Sequence, residues 1–210
     1  MKHTSITLLT LTAAAGFAQS APAAAPAFTT SGNLSLTSDY VFRGVSQSEG
    51  QLAVQGGFDA AHKSGISAGV WASSVSSAKG SLEVDLYANY GIKLGAVDLS
   101  VGYINYMYNT SVNGGNGGEA NIGLTVAGVN LKVSKGVSGA LSDYYYEANY
   151  SREIAKGLTL GLHYGNDRAT VKDDYAIGLT YPILGLDTTV AYSKLEGAGS
   201  ITAFTVKKTF

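Results

Sequence analysis

The chain has no cysteine, so disulfide bridges, thiolate metal sites and cysteine nucleophiles are excluded. Proline occurs three times and tryptophan once in 210 residues, and charged residues make up only 14%. The formal net charge of −1 leaves no basic excess of the kind nucleic acid requires. After residue 20 no apolar run approaches the roughly 20 residues that a membrane-spanning helix needs. Against these shortages stand 27 glycines and 14 tyrosines. Glycine permits bends and close approach within strands, and tyrosine, with an apolar ring and a polar tip, suits a membrane interface.

The N-terminus reads as an export signal. Lys2 and His3 precede a mostly apolar stretch, residues 6–17, with small residues around Ala18-Gln19-Ser20, the layout of a secretory signal peptide. Cleavage is expected after Ser20, or after Ala18. Residues 1–20 are therefore set apart as signal peptide and residues 21–32 as a flexible lead-in. Residues 33–210 suit one domain better than two.

Within that domain the dominant pattern is alternation with a period of two. Leu82, Val84, Leu86, Ala88, Tyr90, Ile92 and Leu94 are apolar or aromatic, while Glu83, Asp85, Tyr87, Asn89, Gly91 and Lys93 lie between them. A helix would mix the two sets on every face, whereas a strand separates them. Gly95-Ala96 then fits a two-residue type II′ turn, which sets Ile92 against Leu99, Tyr90 against Val101 and Lys93 against Asp98. Ala127-Gly128 is expected to make a second such hairpin, with Leu124 opposite Leu131, Ile122 opposite Val133 and Gly123 opposite Lys132. The same rule gives about twelve strands, near 33–43, 51–62, 64–74, 81–94, 97–109, 119–127, 129–137, 143–154, 158–168, 173–184, 186–195 and 201–210.

The connections alternate between short turns and longer loops, as in outer-membrane barrels with periplasmic turns and extracellular loops. A secreted β-sandwich is the rival, but its outward faces would be rich in lysine and glutamate. Here the polar face is mostly glycine, serine, threonine and asparagine. The fold expected is all-β, a transmembrane antiparallel up-and-down β-barrel whose closing strand ends at Phe210. Tyr40, Phe42, Tyr103, Tyr150, Tyr164, Tyr181, Tyr192 and Phe204 are candidates for interface girdles. Two places fit less well: strand parity puts Ile104 inward and Asn105 outward, which predicts a bulge or a shifted boundary, and Pro182 inside a strand predicts a position near its periplasmic end.

The first hairpin carries the densest polar signal. Read as strands 33–43 and 51–62 in simple register, it sets Asp39 against Gln55 and Arg43 against Gln51, a polar ladder inside the barrel. The lumen-lining candidates are Asp39, Arg43, Gln51, Gln55, Asp59, Glu83, Asp85, Lys93 and Lys132. Such residues either filter solutes or pair with one another to plug a narrow lumen. The acids bias the lumen mildly toward cations, and Arg43, Lys93 and Lys132 limit that bias.

Asn33, Leu36-Thr37-Ser38-Asp39-Tyr40, Phe42-Arg43-Gly44, Ser46-Gln47-Ser48, Ala53, Gln55-Gly56-Gly57, Asp59, His62 and Ser64-Gly65, with Trp71 and Glu83-Val84-Asp85, resemble the opening signature of the TorF family of bacterial porins. Leu52 and Ser74 depart from the proline and asparagine commoner at those places in the family. The resemblance implies an outer-membrane barrel acting as a channel, and supplies no substrate and no catalytic residues.

The function expected is an outer-membrane porin for passive diffusion of small hydrophilic solutes, with no cofactor, no metal and no enzymatic activity. The alternatives are a structural or adhesive barrel with a plugged lumen and, behind it, a membrane-embedded lipid hydrolase in which His163 meets a serine across strands. His62 and His163, without carboxylates at ligand spacing, argue against zinc. The glycine-rich stretch 110–118 is an exposed loop or a gate over the mouth. Expected partners are outer-membrane lipids, the barrel-assembly machinery and small solutes. Phe204, Val206 and Phe210 form the candidate assembly signal, with Lys208 on the same parity snorkelling to water.

Overall fold

A computed structural model of the chain describes residues 27–109, 116–139 and 143–210. The expected signal peptide and most of the glycine-rich 110–118 stretch lie outside the described residues. Twelve strands form one closed antiparallel barrel: β1 (Phe28–Thr37), β4 (Ala53–His62), β5 (Ile66–Ser74), β6 (Leu82–Leu94), β7 (Val97–Tyr108), β8 (Gly117–Val126), β9 (Val129–Gly139), β10 (Tyr144–Ala155), β11 (Leu158–Asp167), β12 (Lys172–Ile183), β13 (Leu186–Leu195) and β14 (Ser200–Thr209). Two further strands of two residues each, β2 (Val41–Phe42) and β3 (Val45–Ser46), pair only with each other. Among the described residues the sole helical element is a 3-10 turn, Ser77–Lys79.

Each strand pairs with its sequence neighbours around the wall, and β1 with β14 closes it. Alternation makes this closure productive. Outward positions are apolar and exposed, as at Leu34, Leu36, Phe58, Leu86, Val101, Ile122, Ile177 and Val190. Inward positions are polar yet buried, as at Ser35, Thr37, Ser73, Glu83, Asp85, Glu119, Ser134 and Thr180. The oil-in, water-out distribution of a soluble protein is inverted, which suits hydrocarbon outside and a polar interior. Tyr103, Tyr164, Tyr181, Tyr192 and Phe204 point outward and are exposed.

The hairpin registers are those the pattern predicts. Ile92 pairs with Leu99, Tyr90 with Val101 and Lys93 with Asp98; Leu124 pairs with Leu131, Ile122 with Val133 and Gly123 with Lys132. The Ala127-Gly128 turn differs in type: both residues have positive φ, 51° and 83°, which makes it type I′, whereas at Gly95-Ala96 only Gly95 does. The bulge expected near Asn105 is absent, since β6 and β7 pair without a shift. Ile104 simply faces inward and is buried. Register shifts occur instead at Gly118/Glu119 and at Glu153/Ala155. Pro182 lies beside the Leu184-Gly185 turn, opposite Asp187.

The first strand departs most from expectation. It begins at Phe28, inside the supposed lead-in, and ends at Thr37. Residues 38–43 and 51–52, expected in the two strands, leave the wall together with the 44–50 loop between them.

At the seam, Gly32 and Phe210 exchange backbone hydrogen bonds of 2.8 and 2.9 Å. The Phe210 ring covers Gly32 so closely that a β-carbon there would meet it at 2.6 Å, and it lies edge-on to Phe58 across the seam. Lys208 donates to the Gly185 carbonyl at 2.9 Å, the polar escape expected of an outward lysine. Deleting Phe210 removes both of its hydrogen bonds to Gly32 and should lower the stability of the vesicle-refolded barrel by about 2 kcal/mol. Urea titration followed by heat-modifiable gel mobility measures it; an unchanged midpoint would show that the last residue does not hold the seam.

Candidate functional site: a hairpin folded across the lumen

The segment 38–52 turns inward at Ser38, whose amide and hydroxyl bond the Phe204 backbone of β14. It then forms a miniature hairpin, with Val41 opposite Ser46 and Phe42 opposite Val45. Its two-residue tip is Arg43-Gly44, with φ of 49° and 73°, a type I′ geometry. Arginine is a poor residue for a left-handed position, so the surrounding contacts must hold the turn.

Those contacts reach across the barrel. Close to its origin the hairpin packs Tyr40 edge-on against Trp71 of β5, with centroids 5.4 Å apart, in a cluster with Ala53 and Val75. Farther out, Phe42 meets Tyr106 of β7. At the tip, the Arg43 guanidinium donates two bonds of 2.8 Å to the two oxygens of Glu119 on β8 and lies 3.8 Å from the Tyr145 ring centroid on β10. Gly44 abuts β12 and β13: a β-carbon there would lie 3.0 Å from those of Asp174 and Leu195. The segment thus spans the lumen from β1 and β4 to the opposite wall.

The receiving wall is itself braced. Tyr106 donates to Glu119 Oε2 at 3.1 Å. Tyr145 donates to Asp174 Oδ2 at 2.9 Å, and the His163 ring contacts Asp174 Oδ1 at 2.9 Å and Asn149 Oδ1 at 2.7 Å. The hairpin is braced too, because the Ser46 hydroxyl donates to Asp39 Oδ1 at 2.6 Å and the Tyr40 amide donates to Ser48 Oγ at 3.0 Å. A planar fork on a carboxylate, stacked on a ring, is the strongest form of such a contact.

The candidate residues therefore divide. Asp39 and Arg43 belong to the hairpin, buried and nearly buried. The expected pairings of Asp39 with Gln55 and Arg43 with Gln51 do not occur: Gln55 faces Ser35 and Ser73 across the wall, and Gln51 is exposed. The reason is that residues 38–52 make their own two-residue hairpin and leave no strand partner at those positions. Tyr40 and Phe42, expected in a girdle, are hairpin anchors for the same reason.

Asp59, Glu83, Asp85 and Lys132 do line the interior. Asp59 accepts from the Tyr87 hydroxyl at 2.5 Å, and Lys132 forms an ion pair with Glu147. Lys93 pairs with Asp98 at 3.0 Å beside a short turn, where both are exposed. His163 is inward and buried, but its partners across the two ladders are Asn149 and Ala176 rather than a serine.

Sequence reading missed Glu119, Glu147, Tyr106, Tyr145 and Asp174. Their inward parity was legible, but nothing local marks Glu119, Tyr106, Tyr145 and Asp174 as receivers of a distant hairpin or Glu147 as the partner of Lys132.

The family model described as "Bacterial protein of unknown function (Gcw_chp)" matches residues 20–210. No curated protein matches the sequence. Among solved structures, a KdgM porin superposes with a TM-score of 0.59 at 9% identity, covering 87% of this chain and 98% of that one. A NanC porin gives 0.52 at 12% identity, with 85% and 98% covered. The outer membrane phospholipase A from Escherichia coli gives 0.51 at 12% identity, with 85% and 91% covered. At these identities the likeness is one of fold.

The anchor predicts a local effect. Arg43→Ala leaves Glu119 without its cation, so the hairpin should detach, with exchange at the Tyr40 and Gln47 amides accelerated roughly 100-fold, the equivalent of about 3 kcal/mol. The barrel strands should stay protected. Hydrogen exchange by mass spectrometry on detergent-solubilised protein measures it, and Arg43→Lys should restore part of the protection because it keeps the charge without the fork.

Proposed function

This chain belongs to the Gcw_chp family of bacterial proteins, and from that premise and the geometry of its interior we propose that it is an outer-membrane porin for small hydrophilic solutes. The observation that carries the reading is the closed barrel, apolar outside and polar within, whose lumen is narrowed by one internal hairpin. Twelve strands stand between eight, which fill with their own side chains, and sixteen to eighteen, which leave a wide channel. Away from the hairpin the inward positions include Gly91, Gly161 and Gly178, small residues that favour open space, while Asn89 and Ser100 side chains lie over the inward Gly102 and Gly123. The porins among the similar folds and the TorF-like opening signature point the same way.

In this reading residues 1–20 direct export, lipids surround the outward face, and Phe204, Val206 and Phe210 serve as the terminal signal for the assembly machinery. The long-loop end faces the cell exterior, and residues 38–52 set the width of the pore. A specific observation favours a second reading, a structural barrel with a plugged lumen: Tyr40, Val41, Asp39 and Ser48 of the hairpin are all buried, and the segment touches opposite walls.

Planar-bilayer recording separates the two. The refolded protein should show discrete current steps, and replacing residues 38–52 by a two-residue turn should enlarge them several-fold. If a demonstrably folded wild type is silent and only the loop-deleted variant conducts, the plugged reading holds.

A further inference from the structure

One rung of the barrel wall is built from amides and hydroxyls around a glycine. Across five adjacent strands, Ser67 of β5 stands opposite Asn89 of β6, Asn89 opposite Gly102 of β7, Gly102 opposite Asn121 of β8, and Asn121 opposite Ser134 of β9. All five share the inward parity. The two amides lean over the glycine between them: a β-carbon on Gly102 would collide with Asn89 Oδ1 and stand 3.0 Å from Asn121 Oδ1. Glycine there leaves a notch with a side-chain amide on either side.

The polar groups of this notch are uncommitted. Elsewhere on the inner wall Asn130 donates to Thr125 and Asn149 contacts the His163 ring, but the amides of Asn89 and Asn121 bond no other described residue. Ser67 Oγ is buried without a partner among the described residues. Both asparagines are half-buried rather than sealed, so each keeps a face toward the lumen. The neighbouring charges, by contrast, are committed. One rung toward the long-loop end, both Glu119 oxygens accept from the Arg43 fork and one also from Tyr106. One rung toward the short-turn end, Lys132 pairs with Glu147, and Ser100 adds a hydroxyl. Half-buried Tyr87, opposite Ile104 on the Glu119 rung, offers an apolar shoulder for a carbon skeleton. An amide both donates and accepts, as a hydroxyl does, whereas an ion held here would need a counter-charge that these pairs do not release.

We propose that this notch is a subsite for an uncharged, polyhydroxylated solute of the carbohydrate class, with Asn89 and Asn121 as its hydrogen-bonding residues and Gly102 as the residue that makes room for the ligand. The inference rests on the channel reading and names the solute class of that same lumen. Hydroxyls on neighbouring carbons accept from one amide and donate to the other, so such a ligand replaces solvent without leaving either amide unpaired. The notch lies one rung below the contact of Arg43 with Glu119, where the hairpin already narrows the lumen. An occupant therefore obstructs the flow of ions.

The test is block of single-channel KCl current by lactose, an uncharged disaccharide, compared with lactobionate, its carboxylate counterpart, at equal ionic strength. Lactose should block wild-type current saturably, and lactobionate should block it several-fold more weakly. The variant N89L/N121L removes both amides at nearly constant volume and should raise the half-blocking concentration of lactose about tenfold. Gly102→Ala, which fills the notch, should raise it in the same direction. Absence of saturable lactose block, block by lactobionate as strong as by lactose, or a half-blocking concentration unchanged in both variants would overturn the proposal. Should the double variant fail to refold, Gly102→Ala and the wild-type comparison of the two sugars still decide it. A folded protein that stays silent overturns the channel reading and this inference with it, whereas a conducting channel without saturable lactose block overturns the subsite alone.

Discussion

A polypeptide that presents an apolar surface on all sides has no water there to satisfy its backbone, so every amide and carbonyl in the wall needs a partner within the chain. A closed antiparallel ladder meets that demand and an open sheet does not. The seam between β1 and β14 is where the demand is hardest to meet, because its two strands are the most distant in sequence. Mutual hydrogen bonds between Gly32 and Phe210, with the terminal ring laid over the glycine, carry the ladder to the last residue. Glycine at 32 leaves room for that ring, so a small residue near one end of the domain and a large one at the other end act as a unit.

Closure creates an interior, and the interior creates a second problem. Polar side chains pointing inward lose much of their access to bulk water and must find partners there. Part of the solution is local, in cross-strand pairs such as Lys132 with Glu147. Part is long-range: the hairpin of residues 38–52 brings its own internal hydrogen bonds and one cation, and delivers that cation to Glu119, 76 positions further along the chain. Arg43 sits in a left-handed turn that disfavours it, which fits a residue held for the contact it makes rather than for the turn it occupies.

Much of the wall is legible in the sequence. Periodicity alone located β6 through β14 within a few residues, because a strand with one face against polar interior and the other against an apolar surround must alternate, and a slip of one residue would reverse every side chain. The Gly95 and Ala127-Gly128 turns then set register. The first hairpin defeated the same rule. Tyr40 and Phe42 continue the parity of Leu34 and Leu36, so they read as outward strand residues, and Arg43-Gly44 lacks the Asn-Gly or Asp-Gly composition that announces a type I′ turn. The stretch most recognisable as a family signature, Asp39 through Ser48, is the stretch that does not belong to the wall.

From sequence alone come the all-β class, the strand number, the inward and outward faces and the terminal position of Phe210, since each depends on neighbours two residues apart or a few residues across a turn. Only the tertiary structure decided that residues 38–52 cross the lumen, that Arg43 meets Glu119 and Tyr145, and that His163 meets Asp174 rather than a serine. His163 and Asp174 are diagonal neighbours on the paired strands β11 and β12, but the Arg43 contacts cross a cavity, between residues with no shared ladder and no local spacing. Closing the barrel is what brings them within bonding distance.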